Sequence, residues 1–323
     1  MSLLSELEEK ARVVRATIVY PEPEDKRIVQ AAAEVARRGI ARPVLVGRAA
    51  DMPAEPPPGV AVEMIDRSER AKHYAARYAE QRGMKEGVAE RMLRRPLAYA
   101  CMMVACGDAD GMVGGIAHPT ASVIQAAGLT VGYAEGVDSA SSCFIMVVPS
   151  LRGQRDVPLI FADCAVTIEP TVEQLAGIAV ASARSARRFL GVVPRVAMLS
   201  FSTAGSAAHA AVDRVKEATK LAKARIEDGY VEGELQFDAA VNPDVAVKKG
   251  VGGGEVAGKA NVFIFPDLNA GNICYKSVRE MGGVQAIGPI LQGFARPVCD
   301  LSRSASVQDV VGTTIITALQ KGS

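Results

Sequence analysis

No stretch of this sequence reaches the ~18 to 20 consecutive apolar residues that a membrane-spanning helix requires, so a membrane protein is not expected. The N-terminal run MSLLSELEEKARVV has neither the basic start nor the apolar block of a signal peptide and reads as an amphipathic helix of mixed charge. An excess of one charge is missing too. With 37 Lys and Arg against 36 Asp and Glu, nothing in the balance favours nucleic acid or an anionic membrane. An anionic substrate must therefore be met by a few well-placed groups. The six cysteines (Cys101, Cys106, Cys143, Cys164, Cys274, Cys299) include no CxxC pair and no cysteine–histidine spacing suited to zinc. Reduced, mostly buried thiols and no metal site are expected, in a cytoplasmic protein.

What is present is 49% apolar and 23% charged residues over 323 positions, enough for roughly two globular domains. Short β-branched runs such as TIVY at 17–20 and PVLVG at 43–47 alternate with helix-period segments at 25–38 and 68–82. That alternation predicts α/β domains, each a mainly parallel sheet with helices on both faces. The proline-rich run 53–59 predicts an exposed loop. A second alternating block begins with FIMVV at 144–148 and continues through 159–162, 195–199 and 261–265. Within it, Thr171 and Gln174 have the spacing of a capping box ahead of the stripe Leu175, Ile178, Ala179. The expected division is one domain of 1–149 plus 293–323 and a second of 150–292, with no internal repeat.

Three segments carry chemistry-bearing residues. GGEVAGKA at 253–260 comes within one residue of a phosphate-binding P-loop, but Ala260 lacks the magnesium-binding hydroxyl and the segment runs into a strand, so nucleotide binding is not expected. DLSRSASVQD at 300–309 brings a hydroxyl, a guanidinium and a carboxylate together just before a helix; Ser306 and Asp309 also fit a plain capping box, so both readings stand. His118-Pro119-Thr120-Ala121 follows a glycine-rich run, DGMVGG at 110–115, whose turn could offer amides and the Thr120 hydroxyl to an anion, or could simply start a helix at Pro119.

Several stretches resemble the phosphotransacetylase family, in the same order as in the family: GDADGMV at 107–113, FADCAV at 161–166, VAMLSFST at 196–203, GELQFDAA at 233–240, VAGKANVFIFPDLN at 256–269, GNI at 271–273, GPILQG at 288–293 and DLSR at 300–303. They span about two thirds of the chain. The resemblance implies two three-layer α/β domains of isocitrate/isopropylmalate dehydrogenase-like architecture with a cleft between them, a homodimer, and an enzyme that interconverts acetyl-CoA plus phosphate with acetyl phosphate plus CoA. No cofactor is implied: CoA, acyl-CoA, phosphate and acyl phosphate are the small-molecule partners, with no nucleic acid or membrane.

By the same resemblance, Asp309 would take the thiol proton of CoA, Ser302 would hydrogen-bond the reacting sulfur or the developing oxyanion, and Arg303 would hold the phosphoryl group. His118, Thr120, Asn269, Asn272 and Lys276 would also bind substrate. A thiol with ordinary pKa of about 8.5 needs a base to ionise near neutrality, and arginine grips phosphate through two parallel donors. The sequence departs from the family twice. Gln125 stands where many members carry an arginine, and Arg279-Glu280 replaces a glutamine–arginine order. CoA phosphates would then turn to other cations, with Arg94, Arg95 and Arg279 as candidates beside Gln125. Two alternatives remain: a phosphate butyryltransferase or other short-chain variant, and a non-catalytic acetyl-CoA-sensing domain.

Overall fold

The computed structural model describes residues 3–135, 137 and 139–321. In chain order the principal elements are α1 (Leu3–Val14), β1 (Thr17–Tyr20), α2 (Lys26–Arg37), β2 (Arg42–Gly47), β3 (Ala61–Met64), α3 (Arg70–Arg82), α4 (Glu86–Leu93), α5 (Pro96–Cys106), β4 (Gly111–Gly114) and α6 (Thr120–Thr130). There follow β5 (Ser141–Leu151), β6 (Gln154–Ala162), α7 (Val172–Ser185), β7 (Arg195–Leu199), α8 (Ala210–Arg225), β8 (Tyr230–Leu235), α9 (Phe237–Val241), α10 (Pro243–Lys248), β9 (Val262–Ile264), α11 (Leu268–Gly282), β10 (Gln285–Gln292), β11 (Val298–Asp300) and α12 (Val307–Leu319). The chain forms two compact units, Met1–Glu135 with Phe294–Ser323, and Gly136–Gly293.

The first unit is built on a five-stranded sheet in the order β11-β4-β1-β2-β3, parallel throughout. Parallel strands are joined by crossover helices, and both faces must be covered for the backbone to stay dry. Along β1 the side chains of Ile18, Val19 and Tyr20 are all fully buried although they alternate in direction. The Tyr20 hydroxyl meets Thr314 of α12 at 2.8 Å, so one face is closed by α12 while Val19 is covered on the other. Helix ends follow local chemistry. Asp25 caps α2 by accepting the Arg27 amide, and α5 opens with Pro96 and stops at Gly107, which takes the left-handed conformation with φ 85°.

The second unit is a six-stranded sheet in the order β10-β5-β6-β9-β7-β8. Four of its strands, β6-β9-β7-β8, are parallel, but β5 runs antiparallel to both β6 and β10. The reason is the connection. Arg152 and Gly153, both at positive φ (51° and 75°), make a two-residue turn whose twist matches a hairpin, so β6 folds straight back onto β5. This corrects the expected boundary at 149/150, which would cut through β5. Hydrogen bonding to β6 and β10 draws the whole of 141–151 into the second unit, and the divisions fall at 135/136 and 293/294. The core of this unit is aromatic for so ring-poor a chain, with Phe144 stacked on Tyr275 at 4.2 Å and Phe161 packed against both Phe263 and Phe265.

The capping box at Thr171 and Gln174 forms as expected, and Leu175, Ile178 and Ala179 are buried. The six cysteines form no disulfide; four are buried and two half-buried. Among the described residues no helix is long and apolar enough to cross a membrane.

Candidate active site

In an open parallel sheet, ligands gather beyond the carboxyl ends of the strands where the strand order reverses. In the first unit that reversal lies at β1. From β1 the chain passes through α2 to β2 and β3 on one side, and later supplies β4 and β11 on the other. The carboxyl ends of β1, β4 and β11 lead into three segments: Pro21 to Arg27, Gly115 to Thr120, and Leu301 to Ser306.

Hydrogen bonds bring these segments together. The Leu301 amide donates to the Gly114 carbonyl at 2.9 Å, and the Thr120 hydroxyl donates to Asp300 Oδ2. Glu22, fully buried, accepts the amides of Gly115 (2.9 Å), Ile116 (3.1 Å) and Ala117 (2.8 Å), and its Oε1 lies 2.8 Å from His118 Nδ1. The turn after β4 was expected to be able to offer its amides to an anion. It does so, but the anion is the protein's own Glu22 carboxylate, because a buried charge without donors would be far costlier than this arrangement. His118 itself is half-buried, with 36% of its side chain exposed.

Asp300 ends β11 and is 3% exposed. Burial pushes its carboxyl up to about 6, with the nearby Glu22 charge adding to the rise and the Thr120 bond opposing it. Its Oδ1 has no hydrogen-bond partner among the described residues. That oxygen sits where a side chain on Gly115 would be, and Gly115, at φ 116°, is required here both by its backbone and by this close approach.

The loop from Ser302 to Ser306 is exposed except for Ala305. A turn closes it, with the Ala305 amide donating to the Ser302 carbonyl, and Ser302 and Ser304 hydroxyls are 2.9 Å apart. Arg27 braces the loop from outside. Its Nη1 donates to the carbonyls of Arg303 (3.0 Å) and Ala305 (2.9 Å), while Nε and Nη2 grip the Asp25 carboxylate, holding that carboxyl below its usual range. Ser302 and Arg303, neighbours on this braced backbone, are both exposed.

Asp309 forms the capping box that its spacing allowed. Its Oδ2 accepts the Ser306 amide (2.8 Å) and hydroxyl (2.7 Å), and the Asp309 amide donates to Ser306 Oγ. The carboxylate remains exposed. The cap and a role toward a substrate are therefore compatible in one side chain.

The structure thus assembles His118, Thr120, Ser302, Arg303 and Asp309 at one end of the first unit's sheet. Gln125 lies exposed further along α6. Arg94 and Arg95, both exposed, stand at the α4–α5 junction, where Arg94 lines a cavity of about 600 Å³ with Arg48, Lys72, Asp66 and Glu90, none of which belongs to the assembled group. The remaining candidates belong to the second unit. Asn269, Asn272, Lys276 and Arg279 are spaced three and four apart along α11 and share one face of it. Asn272 is committed to structure, donating to the Cys164 carbonyl at 3.0 Å, and Arg279 pairs with the neighbouring Glu280 carboxylate. Asn269 and Lys276 are exposed.

The P-loop-like run has its amides filled in the same way as the turn after β4. The amides of Glu255, Val256 and Ala257 donate to the Glu232 carboxylate, and the run leads into β9. Glu22, Asp25 and Arg27 were not among the sequence candidates. Their local signal is the charge-rich run 22–27 straight after a strand, with Asp25 placed to cap the next helix, and that of Asp300 is its place at the head of the 300–309 run. Among the described residues, no group of three or more His, Cys, Asp and Glu side chains is placed to hold a metal.

Comparison with known proteins identifies the family. The family described as Phosphate acetyl/butaryl transferase matches residues 2–318. A phosphate acetyltransferase of Thermoanaerobacterium thermosaccharolyticum is 45% identical, covering 99% of each chain, and one of Acetivibrio thermocellus is 42% identical, covering 99% of this chain and 98% of that protein. Among solved structures, the EutD phosphotransacetylase of Staphylococcus aureus superposes with a TM-score of 0.89 at 37% identity, over 99% of this chain and 98% of that one. A branched-chain phosphotransacylase of Enterococcus faecalis, at 18% identity and a TM-score of 0.68 over 95% and 99% of the two chains, shares the fold. With a match across nearly its whole length and relatives this similar from end to end, the chain belongs to the phosphate acetyl/butaryl transferase family of acyltransferases.

Proposed function

We propose that this enzyme transfers an acetyl group reversibly between coenzyme A and phosphate, using the loop after β11. The observation that carries the reading is the grouping of an exposed hydroxyl, guanidinium and carboxylate, Ser302, Arg303 and Asp309, beyond the strand ends at the point where the strand order reverses. In the direction of acetyl-CoA synthesis, Asp309 takes the proton of the CoA thiol. The thiolate forms the new S–C bond at the acyl carbon, Ser302 donates to the developing oxyanion, and the bond between that carbon and the phosphate oxygen breaks, with the proton on Asp309 passing to the departing phosphate. Phosphate leaves on Arg303, whose planar fork matches two phosphate oxygens. Holding both substrates in one place contributes beside the proton transfer.

CoA and phosphate enter as substrates, and the proposed chemistry calls for no metal or organic cofactor. His118 and Thr120 of the first unit, and Asn269, Asn272 and Lys276 of the second, are proposed to contact substrate. Asn272 does so with the capacity its bond to Cys164 leaves. The CoA phosphates are assigned to Arg94, Arg95 and Arg279 in place of the missing arginine at Gln125. The acetyl group is favoured over butyryl because full-length relatives at 42–45% identity are named phosphate acetyltransferase. A cytoplasmic homodimer completes the proposal.

Phosphate-dependent release of free thiol from a panel of acyl-CoAs tests it. Acetyl-CoA is expected to turn over fastest and without added metal. Release from butyryl-CoA alone would move the enzyme to the longer-chain class, and no release from any member would leave a sensing domain.

A further inference from the structure

The fully buried Glu22 is set two residues beyond β1, and its two oxygens receive four contacts. Three come from the fixed backbone amides of Gly115, Ile116 and Ala117, and the fourth is His118 Nδ1 at 2.8 Å. An ionised carboxylate only accepts, and has about four lone-pair sites. Three amide donors suit that acceptor-only form, which leaves Nδ1–H as the donor in the fourth contact. A hydrogen bond at one imidazole nitrogen decides the role of the other. His118 is half-exposed, so Nε2 is the nitrogen left for a ligand. Two residues on, Thr120 is bonded to Asp300, and Asp300 stands two residues before Ser302. The histidine and the loop that carries Arg303 are therefore tied to one framework.

We infer that Glu22 is a positioning residue for the transfer reaction: it holds His118 as the Nδ1–H tautomer and fixes its turn, so that Nε2 meets the phosphoryl group. Toward a singly protonated phosphate, the bare Nε2 of the neutral ring is a hydrogen-bond acceptor. In the imidazolium, Nε2–H donates to a phosphate oxygen. No bond is made or broken at the ring in either case. The charged groups facing Glu22 are His118 of the turn after β4, Asp300 at the end of β11 and Arg27 at the start of α2. The inference rests on the reading above that His118 lies in the substrate site.

The chain carries an internal control. Of the three histidines, His209 has the opposite arrangement, its Nδ1 accepting the Ala211 amide at 3.1 Å, so its neutral form must carry the proton on Nε2. Imidazole nitrogen NMR of the ¹⁵N-labelled wild-type chain should then show His118 and His209 as opposite tautomers at a pH where both are neutral. Titration with inorganic phosphate should move the His118 Nε2 resonance and leave His209 in place. An Nε2–H signal for His118, or no response at saturating phosphate, overturns the inference without relying on any variant.

Kinetics supplies the second arm. Glu22→Gln should lower kcat/KM for acyl phosphate about ten- to hundredfold, as expected for loss of one charge-assisted bond, with Glu22→Asp intermediate and KM for CoA little changed. In a His118→Ala background the same Glu22→Gln change should cost less than about threefold more. Equal losses in both backgrounds would make Glu22 a folding element only. If His118→Ala alone keeps normal turnover, it is the assignment of His118 to the substrate site that fails; if it loses turnover while His118 is the Nε2–H tautomer, only the role of Glu22 fails.

Discussion

Replacing Asp309 with asparagine separates the two tasks the structure gives that side chain. The cap uses one oxygen, Oδ2, as acceptor for the Ser306 amide and hydroxyl. The asparagine carbonyl can accept both, and the backbone bond from residue 309 to Ser306 Oγ does not involve the side chain. What the variant loses on the structural side is a negative charge in the first turn of α12, worth about 0.3–1 kcal/mol. For a domain of this size that is a fall in Tm of roughly 1–4 °C. On the chemical side it loses the capacity to take a thiol proton, and a positioned base contributes about 10²–10⁴-fold. Steady-state kcat with CoA and acetyl phosphate, beside a thermal melt, reads both quantities. Ser306→Ala is the control in the other direction, because removing a cap hydroxyl costs about 0.5–2 kcal/mol of stability and should leave the base in place. Turnover of Asp309→Asn within about threefold of the parent, with a lowered Tm, would refute the base assignment and leave Asp309 as a helix cap alone.

Three further outcomes follow from the same geometry. Arg303→Lys keeps charge but loses the planar fork, so kcat/KM for phosphate and for acyl phosphate should fall roughly ten- to ten-thousand-fold, and Arg303→Gln further; a loss under about threefold would place the phosphate clamp elsewhere. Gln125→Arg, on the exposed side of α6, should lower the KM for CoA, and an unchanged or raised KM would mean that the CoA phosphates are held by other cations. Asp300 should make stability depend on pH. Its carboxyl is raised from the ordinary value to about 6, so between about pH 4 and 6 the folded state binds the extra proton and stability falls as pH rises; about two pH units amount to a cost of about 3 kcal/mol, absent below about pH 4 and complete above about 6. Asp300→Asn keeps an acceptor for Thr120 and does not titrate, so its Tm relative to the parent should improve from pH 4 to pH 7, and a difference that stays flat across that range would contradict the assigned burial cost.

By itself, the sequence determined whatever is written within a few residues. The strand at 17–20, the capping boxes at Thr171 and Ser306, the loop at 53–59 and the failure of 253–260 as a P-loop all depend on spacing, propensity or a missing hydroxyl, and all are present in the fold. The ordered motifs also sufficed to place the chain in its family. Only the tertiary structure decided which groups meet. Glu22 and His118 are 96 positions apart, and Thr120 and Asp300 are 180 apart. Nothing local at either end requires the other, because what joins them is the order of strands in the sheet, with β4 between β1 and β11. The same holds for β5. Its apolar run announces a strand, but its antiparallel pairing, and with it the boundary between the units, is set by the Arg152-Gly153 turn and by partners as far along the chain as β10. Whether the amides of a glycine-rich turn are open to a ligand is likewise decided in three dimensions, since the turn after β4 is filled by a carboxylate from the segment that follows β1.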